Sequence, residues 1–420
     1  MLVPVLLLAQ DEEYYTEQHQ RYYDHIHVPN IRTVVFEIKE VELSMPVIML
    51  NGGEQLRLSF DDLEGEYRPY SFNLTHCDRN WQPTDLPRAT YIRGMQDEML
   101  TGYRYSFNTV QKYIHYSLLV PSVNMQITLS GNYVLTVFSD YDPEKVVITR
   151  RFRVYENLVN LRPELRMPLE VEKRQTHHQL GLSIDHSKYD INNPLRDLAV
   201  HIQQNYRWDN MITDVKPIFM RQGELTYDNM GGITFEGGNE YRWVDIRSLR
   251  YQPENVRNIW YDPDSAMNHV FLINDKPPRK NYYVTRGDMN GAFKIDVREG
   301  TNPDSDADYA MVHFTLEWPQ EETNGSFYVF GGLSEWQPQR PFRMDYNRTI
   351  RAYEAEVYLK QGYYNYQYLF VPDGQTTGGV EPAEGSYFEA AQLYTFYVYH
   401  QSMGMRYDRL VGHGIIASRN

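Results

Sequence analysis

The chain has 420 residues, room for two or three domains at about 150 residues each, and it carries 36 Tyr, 17 Phe and 41% hydrophobic residues. That aromatic excess favours strands, whose pleated faces bury one side of each ring. A formal charge of −15 repels a phosphate backbone and excludes nucleic acid as a general partner, and a single cysteine, Cys77, excludes an internal disulfide or a thiolate metal cluster.

Residues 1–9, MLVPVLLLA, are apolar and run straight into Gln10-Asp11-Glu12-Glu13. This is the pattern of the apolar region and small-residue cleavage site of a signal peptide, so export is expected. No other stretch approaches the roughly 20 apolar residues of a membrane helix, and no direct membrane span is expected. Residues 10–29 are polar and Tyr-rich and read as an N-terminal arm. His25 and His27 fall on one strand face, but no third ligand accompanies them, so a solvated strand edge is expected rather than a metal site.

Residues 30–156 read as a first β-sandwich. Period-two apolar runs predict strands at 32–38, 56–60, 70–76 and 113–119. Asn51-Gly52-Gly53 marks a turn, and Pro83 and Pro87 bracket a loop after Trp81. The stretch 127–156 closes the domain as a hairpin. Tyr133, Leu135 and Val137 alternate in its first strand, and 139–145 forms the turn. Val146, Ile148, Phe152 and Val154 share one face of its second strand, where Arg150 is the misfit. A lone hairpin is marginal in water, so a sandwich has to close over it.

Residues 157–300 read as a second β-rich domain. Leu180, Leu182 and Ile184 alternate with polar neighbours, and so do Leu198, Val200 and Ile202, with His201 on the outer face. Turns are expected at 229–232 and 236–239 and a loop at 274–280. Residues 301–308 read as an acidic turn. Asp304, Asp306 and Asp308 mimic the start of a calcium loop, but Tyr309 stands where that loop needs Gly and Thr315 where it needs Glu. Residues 301–400 read as a third sandwich of the early-set type, with strands at 311–318, 325–330, 352–359, 363–371 and 392–399. Residues 401–420 form a tail. The fold class is therefore all-β, with immunoglobulin-like and early-set sandwiches in tandem.

No nucleophile elbow, zincin helix or phosphate loop is present, and no metal or cofactor site is expected. His76-Cys77-Asp78 pairs a nucleophile type with a base type, but neighbours on a strand point to opposite faces. His177-His178 fails as a chelate for the same reason.

Residues 327–336, 341–344, 355–359, 362–368 and 372–374 together resemble the early-set, carbohydrate-binding type of sandwich found in glycogen-branching enzymes. That resemblance implies glycan stacking on Trp336, Tyr366 and Tyr368, with Gln367 standing where that family has Lys. A second resemblance covers nearly the whole chain. It is carried by residues 70–78 with Trp81, by 113–116, 130–133 and 151–155, then by 306–309, 385–389 and Arg406-Tyr407-Asp408-Arg409-Leu410-Val411-Gly412. In this order they resemble the plug proteins of the Bacteroidetes type IX secretion system. The resemblance implies a non-enzymatic periplasmic protein that sits at the outer membrane. Its implied partner is the giant translocon barrel, whose periplasmic mouth it closes, and no small-molecule ligand is expected. Arg406, Tyr407, Asp408, Arg409 and Leu410 are the candidate partner-binding residues. They would act by strand addition to a sheet edge, or else fold back as a last strand of their own domain.

Overall fold

The computed structural model describes residues 21–213, 215–227, 233–277 and 283–418. The signal-peptide stretch, most of the 10–29 arm, the 229–232 turn and part of the 274–280 loop lie outside them. The described chain is all-β, and its helices are single turns such as Pro303–Asp306. The chain divides into two compact units. One holds the described residues up to Val159 together with Tyr189–Ala199 and Tyr397–His413. The other holds Asn160–Lys188, Val200–Phe396 and the chain end from Gly414.

In the first unit, one sheet runs His25–Ile26, Val146–Tyr155, Gly131–Ser139, Tyr70–Cys77, Asp97–Met99, with Val47–Met49 added parallel to Val146–Tyr155. The other runs Ile31–Ile38, Leu56–Asp62, Ile114–Val120, Gly102–Tyr105. Their inner faces share one core that includes Leu58, Phe60, Tyr70, Leu74, Tyr116, Tyr133, Leu135 and Phe152. The Tyr133 and Phe152 rings stack at 5.3 Å. A buried aromatic pair of this kind adds roughly 1 kcal/mol beyond its area.

The predicted hairpin forms, with Gly131–Ser139 antiparallel to Val146–Tyr155. A bulge corrects its facing pattern. Val137 pairs Ile148 and Phe138 pairs Val146, so Val147 is an extra residue, and it is Val147 that joins the core cluster. One inserted residue re-aims its neighbours, which strict alternation cannot anticipate. Arg150 stays buried because its Nη1 donates to the carbonyls of His25 (3.1 Å) and Thr149 (2.8 Å). His25 and His27 are buried, at 3% and 2% exposure, not solvated. The His25–Ile26 strand is the edge of its sheet, pairing His25 with Thr149, and His27 N–H follows it with a hydrogen bond to the Val147 carbonyl at 2.9 Å.

In the second unit, Asn160–Arg166, His177–Asp185, Glu224–Tyr227 and Phe219–Arg221 form one sheet, with Thr234–Glu236 also on His177–Asp185. A sandwich follows. One layer is Arg242–Asp245, Gly362–Pro372, Phe293–Ile295, with Gly325–Phe330 on Gly362–Pro372. The other is Val256–Asp262, Met267–Leu272, Tyr309–Glu317, Ala352–Lys360, Asp345–Asn347. Val244, Val270, Val312, Phe314, Phe327, Tyr366 and Tyr368 meet between them.

This pairing removes the expected boundary at 300. Strands from 242–272 are hydrogen-bonded neighbours of strands from 309–372, so the late sandwich begins near Arg242. His201, expected on an outer face, is buried at 1% exposure. The acidic stretch closes on itself: the Asp306 carboxylate accepts from the backbone N–H groups of Thr301 and Asn302, both at 3.0 Å.

Candidate docking surface

The Arg406–Leu410 segment belongs to the first unit, where it is seated residue by residue. The Asp408 carboxylate accepts from the Arg79 backbone N–H (2.9 Å) and from Arg79 Nη1 (3.4 Å). Arg409 forks onto Glu156 through Nε (3.0 Å) and Nη2 (2.7 Å), and Ser130 Oγ donates to the same carboxylate at 2.7 Å. Despite partial burial, those donors hold the Glu156 carboxyl below its usual range. Leu410 is fully buried beside Val47, Tyr397 and Tyr399. Its carbonyl accepts from Glu156 N–H at 2.7 Å, and that of Val411 accepts from Leu158 N–H at 2.9 Å.

Tyr407 is half-buried, its ring edge-on to His76 at 5.6 Å. Arg406 is exposed and touches the carbonyl of Asp85 at 3.4 Å. Met403, at 82% exposure, stands on the same loop. Asp408, Arg409 and Leu410 are therefore engaged inside the unit, and Arg406, Tyr407 and Met403 are presented outward. From Arg409 the chain is itself a strand, Arg409–Ala417, hydrogen-bonded beside Leu393–His400, which is the folding-back expectation for the tail.

Beneath the seat lies a row of arginines that an inward-facing strand would not be expected to carry. Arg153 is 3% exposed, with its guanidinium over the Tyr397 ring (3.8 Å) and the Trp81 ring (5.0 Å). Its Nε donates to Tyr399 OH at 3.1 Å. Tyr399 OH donates to Asn132 Oδ1 at 2.8 Å, and Asn132 Nδ2 to the Asp78 carbonyl at 2.9 Å. Arg151 reaches Asp24, its backbone N–H donating to Oδ1 at 2.7 Å and its Nη2 to Oδ2 at 3.3 Å. Aromatic faces accept cations at low desolvation cost, which is what lets Arg153 sit inside. The clue in the sequence was the alternation of Arg151 and Arg153 with Phe152 and Val154 beside a Trp and several Tyr.

The edge strand Gly102–Tyr105 carries the second surface. It ends its sheet, and it leaves Tyr103 48% and Tyr105 55% exposed, with Phe107 at 72% just beyond. Tyr67 packs on Tyr103 at 5.1 Å and is itself exposed. An aromatic row on a strand edge is expensive to leave in water and suits pairing with another chain.

The other candidates lie elsewhere. His76 places Nδ1 3.1 Å from Thr84 Oγ1 and Nε2 3.2 Å from the Ser130 carbonyl, and burial pulls its pKa down to about 4. Burial pushes the Cys77 thiol up to about 12, so the pair presents a neutral ring and a protonated thiol. His178 is held by Tyr394 OH and the Phe388 carbonyl, both at 2.6 Å. The glycan-stacking expectation is corrected. Trp336 is 8% exposed and stacks on Tyr206 at 5.4 Å. Gly291, at φ +83°, closes on the same ring, and a Cβ there would lie 2.4 Å from it. Tyr366 and Tyr368 are buried, and both hydroxyls donate to Asp275 Oδ2 at 2.7 Å. These rings pack the second unit and offer no open face to a sugar.

Among the described residues no group of three His, Cys, Asp or Glu side chains is placed to hold a metal ion. None of the described helices is long and apolar enough to cross a membrane.

The model of the type 9 secretion system plug protein 1st domain matches residues 31–156. The match starts at the Ile31–Ile38 strand and ends at the Glu156 that clamps Arg409, leaving out the His25–Ile26 edge strand of the same sandwich. The crystal structure, at 2.30 Å, of a hypothetical protein from Parabacteroides merdae ATCC 43184 is 32% identical. It covers 95% of this chain and 100% of that one, with a TM-score of 0.91. This chain belongs to the type 9 secretion system plug protein family. The plug family is a structural component of that secretion machinery. A mutant of Salmonella alpha-2-macroglobulin also aligns, at 9% identity over 93% of this chain and 23% of that one, but its TM-score of 0.17 carries no argument. No curated protein matches the chain.

Proposed function

We propose that this chain is a non-enzymatic plug subunit. It is exported to the periplasm, binds the giant outer-membrane translocon barrel of the type 9 secretion system, and closes that barrel's periplasmic opening. The observation that carries the reading is the plug-domain match over residues 31–156, extended to the whole chain by a relative of the same fold at 32% identity.

Two features of the first unit support it. The Gly102–Tyr105 edge with Tyr67 and Phe107 offers unpaired backbone and aromatic anchors together, the combination that strand addition uses. The 401–407 loop presents Arg406 and Tyr407, and Asp408, Arg409 and Leu410 hold it in place. A surface already ordered by a sandwich loses little conformational freedom on binding.

The test is affinity purification of a tagged chain from native membranes. The barrel is expected to come down with it, and deletion of the gene is expected to admit large solutes across the outer membrane. Tyr103→Asp with Tyr105→Asp is expected to weaken recovery of the barrel by about tenfold or more, the loss typical of an interface anchor. Membranes that yield the tagged chain without any barrel, and a deletion strain with unchanged permeability, would refute the reading.

A further inference from the structure

The outer face of the sheet Val256–Asp262, Met267–Leu272, Tyr309–Glu317, Ala352–Lys360 carries a cluster that plugging does not use. His269 and His313 lie on neighbouring parallel strands, where Phe271 is paired with His313 and His269 with Met311. His269 Nδ1 is 2.9 Å from His313 Nε2. The far nitrogen of His313, Nδ1, is 3.4 Å from Glu356 Oε1. Phe271 stacks face to face on the His313 ring at 4.2 Å and 13°, and Trp260 lies against His269 at 5.4 Å. The cluster is open to solvent, with Trp260 50% exposed and the Glu356 side chain 65% exposed.

We propose that His269 and His313 form a surface chelate for a divalent transition-metal ion of the copper and nickel class, with Glu356 as the orienting carboxylate. A carboxylate on one imidazole nitrogen fixes the proton there and leaves the other nitrogen as a lone pair, the usual arrangement behind a ligating histidine. The geometry suits His313 to this arrangement, with Nδ1 facing Glu356 at 3.4 Å and Nε2 facing His269. In the metal-free chain His269 Nδ1–H donates to that lone pair. On binding, the His269 proton resides on its Nε2 and Nδ1 becomes the second ligand.

The spacing selects the metal class. Two nitrogens at metal distances of about 2.0 Å stand roughly 2.8 Å apart at the 90° of a tetragonal site and roughly 3.3 Å apart at a tetrahedral one. The 2.9 Å hydrogen-bond separation of the metal-free chain lies close to the former, so the two rings need shift little to take up a tetragonal ion, whose remaining positions solvent would fill. The stack on Phe271 holds the His313 ring in place before the ion arrives.

The experiment uses the full chain, purified without a polyhistidine tag, with Cu(II) and Ni(II) as probes. In equilibrium dialysis the wild type is expected to bind one equivalent of Cu(II) more than His269→Ala/His313→Ala. Saturable quenching of tryptophan fluorescence should vanish both in that variant and in Trp260→Phe, while Trp260→Phe keeps the extra equivalent. Glu356→Gln should weaken the site by about tenfold, the usual cost of losing an outer carboxylate. Should the double variant melt early, His269→Gln, which keeps a polar side chain on the face, gives the same reading. Stoichiometry and quenching that match the wild type in the folded histidine variants would overturn the proposal.

Discussion

At the scale of single residues, the first unit is notable for polar groups that its core accepts. His76 is the clearest case. Burial lowers its pKa from 6.5 to about 4, so between those values the unfolded chain binds a proton that the folded one refuses. Its contribution is complete above pH 6.5 and is lost as pH falls towards 4. In full the loss is roughly 3 kcal/mol. His413, lowered to about 4 by burial and the neighbouring Arg153, acts in the same direction. Urea melts from pH 7 to pH 4 should show this slope, and His76→Gln should flatten it. A slope unchanged in the variant would remove His76 as its source. Arg153 makes a second prediction. Arg153→Ala empties the space between Trp81 and Tyr397 and takes the donor from Tyr399, so a loss of about 3 kcal/mol is expected in the same melts. Gly131 takes φ +134° where a Cβ would lie 2.6 Å from His76 Nε2, so Gly131→Ala should also destabilise.

At the scale of elements, the informative one is the 397–413 segment. Its grip combines a buried leucine, a forked ion pair and backbone hydrogen bonds, and these are not of equal worth. Leu410→Ala should cost about 3 kcal/mol, because a fully buried side chain leaves a cavity behind. Arg409→Gln should cost closer to about 1 kcal/mol, because its pair with Glu156 is partly solvated on both sides. Thermal melts of the two variants rank the terms, and the reverse order would show that charge, not burial, seats the segment. Period-two alternation made most strands legible beforehand, among them Gly131–Ser139 and Gly325–Phe330. It missed the Val147 bulge, because one extra residue reverses the facing of everything beyond it.

At the scale of the whole molecule, chain order and spatial order part company. A chain limited to residues 21–159 lacks Tyr399 and Leu410, so Val47 and Arg153 lose the groups that cover them. It is expected to melt earlier and to bind a hydrophobic dye. The same piece with residues 397–413 joined through a flexible linker should recover, and a short piece as stable as the joined one would show that the return of the chain is dispensable. Composition and alternation determined on their own that this is an all-β chain rich in buried rings, because burial of one strand face leaves a local, period-two record. Recognition of the plug family also needed only ordered residues along the sequence. Tertiary structure alone decided that Arg409 answers to Glu156 and that strands on either side of residue 300 share one sandwich. It alone decided that Trp336 faces Tyr206, and that two histidines 44 positions apart come within 2.9 Å. Which edge pairs with which is fixed by the joint packing of distant segments, and no window of neighbouring residues contains that information.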